Sequence, residues 1–359
     1  MNSLLMNTLP ERYVLDGDSG SGGFSDVLYC NDAHLDRRVA IKTIRDAREA
    51  ERLNDEIAAL LQLRSKHVVQ VFDIVGNDSS FGIVMEYIDG EDLFKSNYHH
   101  QSNTHLLKVL WQIASGISDI HDAGLIHRDI KPNNMKLDSE GIVKIFDFGL
   151  SRNSGAEAVT IGFKGTKGFS APEQYTHEEI AFTSAVDVYA FGITALFLAT
   201  NNIPKTLLTM PPGEMPIGAF DCEYLDDYPI LKSLFERCLE PTPANRPSMN
   251  NIKNEIGKYL LFDKHQAIAV MGGMKRHVLS SSSRSAKLTF GTIGSFEIYY
   301  DGLNFLLKNV VGEVFVNNLP AQSNNEIPGA CVVGLGRKGR HPNERKFVTF
   351  DLSNPEVTL

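Results

Sequence analysis

The sequence predicts an α+β chain in which a β-rich segment and a helical segment make one domain over residues 12–262, followed by a small all-β domain over 288–359. Three observations predict it. Short β-type runs broken by glycines fill Tyr13 to Ile44. Long apolar runs without internal proline fill Thr104 to Asp122 and Ser184 to Thr200. Four more strand-like runs close the chain, separated by Gly, Asn and Pro. Alternation marks strands, and spacings of three and four mark helices. A length of 359 residues also favours two domains over one.

Taken in order, Tyr13-Val14-Leu15, Val27-Leu28-Tyr29 and Val39-Ala40-Ile41 are expected as strands of a small antiparallel sheet. From Ala47 to Leu63, Glu and Arg alternate with Ile57, Leu60, Leu61 and Leu63, the pattern of an amphipathic helix. Strands resume at Val68 to Ile74 and Phe81 to Tyr87, and near Gly90 sheet gives way to helix. Met210-Pro-Pro-Gly-Glu-Met-Pro216 interrupts the late helical region and is expected as an extended surface segment, one that either docks a substrate or merely connects helices. Residues 263–287 hold the serine run Ser280 to Ser283 and are expected as a linker. Beyond them Phe296 to Tyr300, Val314 to Val316, Cys331 to Val333 and Phe347 to Phe350 are expected as strands of the separate β domain.

Composition narrows the partners. With 42% hydrophobic and 22% charged residues the chain is ordinary globular protein. A formal charge of −9 argues against nonspecific binding to nucleic acid or anionic membrane, so proteins and small molecules are the expected partners. Cys30, Cys222, Cys238 and Cys331 lie far apart, without zinc-ligand spacing, and read as reduced thiols of a cytosolic protein. The Leu4-Leu5-Met6 patch lacks the cationic flank and length of a signal peptide. Val188 to Ala199 falls short of the roughly 20 residues of a membrane span and is expected as a buried helix.

Six groups of residues point to chemistry. Gly20-Ser21-Gly22-Gly23-Phe24-Ser25-Asp26-Val27 lies between two strand runs, where a glycine-rich turn brings backbone N–H groups against phosphate oxygens; alone it equally fits a flexible hairpin. Val39-Ala40-Ile41-Lys42 follows, an apolar strand that delivers one lysine. On the next helix Glu56 continues the inward face of Ile57, Leu60 and Leu63 and is favoured over Glu49 and Glu51 as the partner of Lys42. Further on come His127-Arg128-Asp129-Ile130-Lys131-Pro132-Asn133-Asn134, then Asp147-Phe148-Gly149 after a strand, then Ala171-Pro172-Glu173.

Occurring in this order over residues 12 to 262, these motifs resemble the protein kinase superfamily, of the eukaryotic-like (Hanks-type) serine/threonine branch. The resemblance implies the bilobal kinase fold, with a β-rich lobe followed by a helical one. It implies ATP and Mg²⁺ as cofactors, with Mn²⁺ able to substitute, and protein substrates. By resemblance, Asp129 orients the acceptor hydroxyl, Lys131 is the cation beside the transferred group, Lys42 reaches the α and β phosphates and Glu56 holds Lys42. Asn134 and Asp147 are the metal ligands. The nucleotide site comprises Gly20, Ser21, Gly22, Gly23, Phe24, Val27 and Ala40, the gatekeeper Met85, the backbone of Glu86 and Ile88 at the adenine, and Asp92 at the ribose. Asp187 is similar to the aspartate that anchors the catalytic loop, and Arg246 to the arginine that pairs with Glu173.

Lys131-Pro132 and Gly165-Thr166 look like the branch that phosphorylates serine and threonine. Arg128 suggests a basic pocket for a phosphorylated activation segment, with Thr160 and Ser154 as candidates, although Gly162 stands where relatives often carry the acceptor. His67 to Asp73 resembles bacterial members of the superfamily, and an active cytoplasmic kinase without a membrane span is expected, the alternative being a kinase-shaped nucleotide-binding scaffold or regulator without transfer activity. The tail, through Gly312 to Asn318 and Gly329 to Gly336, is similar to forkhead-associated (FHA) β-sandwiches, which implies a protein partner; the phosphopeptide-pocket residues of that family are not evident. Arg337, Lys338, Arg340, Arg345 and Lys346 form a basic run that fits a solvated hairpin loop better than a contact for a phosphate or an acidic partner.

Overall fold

Alternating apolar and polar residues before Tyr87 build a five-stranded antiparallel sheet from β1 (Tyr13–Ser21), β2 (Asp26–Asp32), β3 (Arg37–Ile44), β4 (Val71–Asn77) and β5 (Ser80–Glu86), in the order β1-β2-β3-β5-β4. This computed structural model describes residues 9–21, 26–44, 60–61, 63–77, 80–94, 102–147, 152–153, 159–160, 167–175, 180–272 and 275–353. The chain divides into two compact units, 1–254 and 255–359. One face of the sheet buries Leu28, Cys30, Val39, Ile41 and Val84. The alternate residues, Val27, Ala40, Lys42, Ile83 and Met85, therefore share the other face. Register aligns them: Val27 and Ile83 stand opposite Lys42, and Tyr29 and Met85 opposite Ala40. The strand expected from Val68 begins only at Val71, because Val68 bridges Ile145 in parallel and the Val69 amide donates to the Ile145 carbonyl at 2.9 Å.

Of the helix expected over 47–63, Leu60 and Leu63 are described as buried, with Val68, Ile83, Ile120 and Leu125. β6 (Gly90–Asp92) precedes α1 (Asn103–Asp122), which starts at Ser102, whose hydroxyl accepts the His105 amide at 3.1 Å. Its buried Leu106, Leu110, Ile113, Ile117 and Ile120 follow helical spacing. Then come β7 (Leu125–Ile126), β8 (Met135–Asp138) and β9 (Val143–Ile145), with β6, β8 and β9 forming one small sheet. Gly90 is needed there, since a Cβ would stand 2.1 Å from the Leu137 carbonyl oxygen. β10 (Arg152–Asn153) pairs with β7, and β11 (Val159–Thr160) with β12 (Ile180–Ala181).

Three helices follow, α2 (Ala185–Thr200), α3 (Pro229–Cys238) and α4 (Met249–Leu261). α2 is apolar almost all round and buries Val186 through Leu196 without a break, as a helix at the centre of a core must. Among the described residues no helix is long and apolar enough to cross a membrane.

The second unit is all β beyond α4. A six-stranded sheet runs in the order β14-β13-β21-β20-β18-β19 and a three-stranded one in the order β15-β16-β17. Their strands are β13 (Ala267–Met271), β14 (Lys275–Leu279), β15 (Ser285–Phe290), β16 (Gly294–Tyr300), β17 (Phe305–Gly312), β18 (Val314–Val316), β19 (Leu319–Pro320), β20 (Ala330–Leu335) and β21 (Lys346–Leu352). Both sheets contribute to one core that includes Ala269, Leu279, Leu288, Phe296, Ile298, Leu307, Val333 and Phe350. The expected linker over 263–287 is corrected here: it contains β13, β14 and the start of β15. β14 is an edge strand with Arg276, His277 and Val278 exposed, which gives it the polar composition of a loop.

Candidate active site

The catalytic-loop residues sit between β7 and β8, where Pro132 opens a single 3₁₀ turn, Pro132–Asn134. Asp129 Oδ2 accepts from Lys131 Nζ at 2.7 Å and from Asn134 Nδ2 at 2.9 Å. A second Asn134 Nδ2 contact, 2.8 Å to the Asp129 carbonyl, fixes the amide plane and turns its oxygen the other way. Across the β8–β9 hairpin, the Phe146 amide donates to the Asn134 carbonyl at 3.0 Å, which brings Asp147 alongside the loop. His127 ties the two ends together. Its Nδ1 accepts the Asp129 amide at 3.3 Å while Nε2 donates to the Phe146 carbonyl at 3.2 Å. Burial pushes the His127 imidazole below its ordinary range, which keeps it neutral in that tautomer.

Asp187, fully buried in the first turn of α2, holds the loop from beneath. It accepts the His127 amide at 2.8 Å, the Arg128 amide at 2.7 Å and His121 Nε2 at 2.9 Å. Burial alone would raise this carboxyl, but the His121 hydrogen bond and the nearby imidazoles outweigh it and hold it low. The carboxylate is thus ionised where the loop needs an acceptor.

Lys42 meets the chemistry end through Asp147, with Nζ 2.5 Å from Oδ1. Burial would raise the Asp147 carboxyl, and Lys42 more than compensates, so it too is held low. Asp147 and the Asn134 amide oxygen are hard oxygen donors, the set Mg²⁺ takes while keeping waters and phosphate oxygens as its other ligands. The residues present therefore fit the metal. At the end of β5, the Glu86 amide donates to the Gln70 carbonyl at 2.9 Å and its carboxylate pairs with Lys144 at 2.8 Å. The Glu86 side chain is engaged by this pairing. Met85 is half-buried beside Ala40, and the backbone of Asp92 stands opposite that of Lys136 in the β6–β8 ladder.

Arg246 is buried and bidentate to Glu173, at 2.7 and 2.9 Å, and also donates to the carbonyls of Ala185, Glu240 and Pro241. Its guanidinium lies over the Tyr189 ring at 5.1 Å. The backbones of Gly20 and Ser21 pair with Val27 and Asp26. Gly22, Gly23, Phe24, Glu56, Ser154, Phe148, Gly149, Gly165 and Thr166 lie outside the described residues, and of Thr160 the backbone alone is described. Sequence reading missed His121 as the third donor to Asp187 and the direct Lys42–Asp147 pair. A histidine in the last turn of α1 was the one available signal for the first; the second spans 105 residues of sequence and left none.

A sequence model of the protein kinase domain matches residues 13–256. The chain belongs to the protein kinase family. It is similar to a probable serine/threonine-protein kinase of Clostridium acetobutylicum, 29% identical over 269 residues, which cover 70% of this chain and 40% of the relative. It is also similar to CBL-interacting serine/threonine-protein kinase 8 of Arabidopsis thaliana, 29% identical over 258 residues, covering 68% and 57%. The serine/threonine-protein kinase PknA of Corynebacterium glutamicum is 35% identical over 218 residues, covering 56% and 46%. The chain thus spans less than two thirds of the length of these curated relatives.

Proposed function

We propose that this kinase transfers the γ-phosphoryl group of ATP to serine or threonine hydroxyls of proteins. The observation that carries the reading is the Asp129, Lys131 and Asn134 cluster held beside the Lys42–Asp147 pair. Bound ATP with Mg²⁺ supplies the phosphoryl group and neutralises its charge. Asp129 orients the acceptor hydroxyl and takes its proton as the new O–P bond forms and the bond to the ADP oxygen breaks. Lys131 keeps positive charge beside the acceptor. Lys42 binds phosphate oxygens, Asp147 and Asn134 hold the metal, and Val27, Ala40 and Met85 line the sheet face that receives the base.

The serine/threonine preference is supported by Lys131-Pro132 and by the three relatives, all serine/threonine-protein kinases by name. For the β unit we infer a protein-binding sandwich of forkhead-associated type; two sheets sharing one core support the architecture. Incubation of the purified chain with γ-labelled ATP and Mg²⁺, followed by phosphoamino-acid analysis, tests the activity. Phosphoserine or phosphothreonine is the expected product. Phosphotyrosine alone, or nucleotide binding without any labelled protein, contradicts it.

A further inference from the structure

A sheet that packs on another through one face ordinarily shows polar side chains on the other, because residues along each strand alternate between the two. The six-stranded sheet of the β unit departs from that pattern. Its inner face supplies Ala269, Cys331, Val333, Val348 and Phe350 to the core. The alternate residues point outward, and they too are largely apolar: Val278 on β14, Ile268 and Val270 on β13, Phe347 on β21, Val332 on β20 and Phe315 on β18. Val278, Val332 and Phe347 are 43%, 39% and 46% exposed.

Register makes these side chains neighbours. Val278 stands opposite Ile268, and Ile268 opposite Asp351. In the next row Arg276 stands opposite Val270, Val270 opposite Thr349 and Thr349 opposite Val332. In the row after that, Phe347 stands opposite Gly334 and Gly334 opposite Phe315. The patch is therefore continuous across five adjacent strands. It is also ordered before anything binds. A Cβ at Gly334 would lie 3.4 Å from the Phe347 ring, so that ring covers the glycine, and the Arg345 guanidinium lies 4.9 Å from the ring centroid. At the centre Thr349 Oγ1 donates to the Val270 carbonyl at 3.5 Å, which keeps the hydroxyl partnered when water leaves. Such a face loses little entropy on association.

Two charges frame the patch. Arg276 and Asp351 share its face, two strands and two residues apart, and among the described residues neither has an ion-pair partner. The point midway between them falls on β13, between Ile268 and Val270. A twofold axis in the plane of contact through that point sets Arg276 of each copy against Asp351 of the other and brings apolar side chains together around them. A face that complements its own charges selects a second copy as its occupant.

We propose that the outward face of this sheet joins two copies of the chain in a twofold dimer. Strands lie about 4.8 Å apart and same-face residues about 7 Å apart along a strand, so the patch covers roughly 350 Å² of sheet per copy. Two such patches fall at the small end of specific interfaces, so the dimer is weak and reversible. The inference goes beyond the kinase reading and does not depend on it.

Sedimentation velocity of the full-length protein from about 1 to about 200 μM is expected to show a reversible monomer–dimer equilibrium with a micromolar dissociation constant. Val332→Glu places a charge inside the patch and is expected to weaken dimerisation about 10-fold or more. Arg276→Glu and Asp351→Arg each set like charges together and are each expected to weaken it about 10-fold. An equimolar mixture of these two single variants is expected to associate as native does, because opposite charges then face each other at both positions. All three side chains are exposed, so the fold is retained, and misfolded chains would not recover on mixing. A dimer that Val332→Glu leaves unchanged overturns the proposal, as do single variants that fail to recover when mixed. So does a native protein monomeric over the whole range, which would assign the face to a different partner.

Discussion

Arg128 and Asp147, one on each side of the β8–β9 hairpin, both hold a backbone φ of +67°. A non-glycine residue there costs on the order of 1–3 kcal/mol, and persists only where its surroundings fix it. At Arg128 the fixing group is Asp187, which accepts the amide at 2.7 Å; at Asp147 it is the Lys42 pair together with the Phe146 hydrogen bonds. Behind the hairpin lies His67, buried edge-on against Trp111 with ring centroids 5.9 Å apart, its Nδ1 3.3 Å from the Val143 carbonyl. Burial lowers its pKa from 6.5 to about 4. The unfolded chain therefore takes up a proton on His67 between these values while the native chain does not. Stability from this group is complete above pH 6.5 and falls as pH drops toward 4, by up to about 1.4 kcal/mol per unit. Urea melts across this range should show that slope, and His67→Gln should flatten it.

At the scale of elements, Arg246 joins three of them: the turn holding Glu173, the first turn of α2 at Ala185 and the Glu240–Pro241 bend. Its side chain is fully buried and Glu173 nearly so. Removing either partner leaves the other charge uncompensated, so Glu173→Ala and Arg246→Met are each expected to cost about 3–5 kcal/mol in a denaturant melt. The double variant Glu173→Leu with Arg246→Met should recover much of that loss. Glu173 was legible in the sequence through Ala171-Pro172-Glu173, and Arg246 through its resemblance to the family's partner of that glutamate. Helices α1 and α2 were legible as well, being long and apolar with helical spacing. Strand pairing was not. Periodicity places side chains on a face but says nothing of which strand lies alongside, so the Val27–Lys42–Ile83 alignment and the Val68–Ile145 bridge appear only in the fold. β14 was lost to the linker for a related reason: an edge strand exposes polar side chains and reads as loop.

Across the whole molecule, charge is divided between the two units. Residues 255–359 hold 12 of the 35 Lys and Arg and 9 of the 44 Asp and Glu, for a formal +3; residues 1–254 hold the other 23 and 35, for −12. A net −12 on the kinase unit favours encounter with cationic over anionic partners at long range. That field affects encounter, whereas in the proposed mechanism transfer depends on the Asp129 carboxylate. The most direct test compares native protein with Asp129→Asn for transfer from γ-labelled ATP, with nucleotide affinity measured alongside. The amide keeps the shape and an oxygen near Lys131 but accepts no proton. Transfer is expected to fall by about 10² to 10⁴-fold while nucleotide affinity stays within roughly twofold. Transfer retained within a few fold of native would contradict the account.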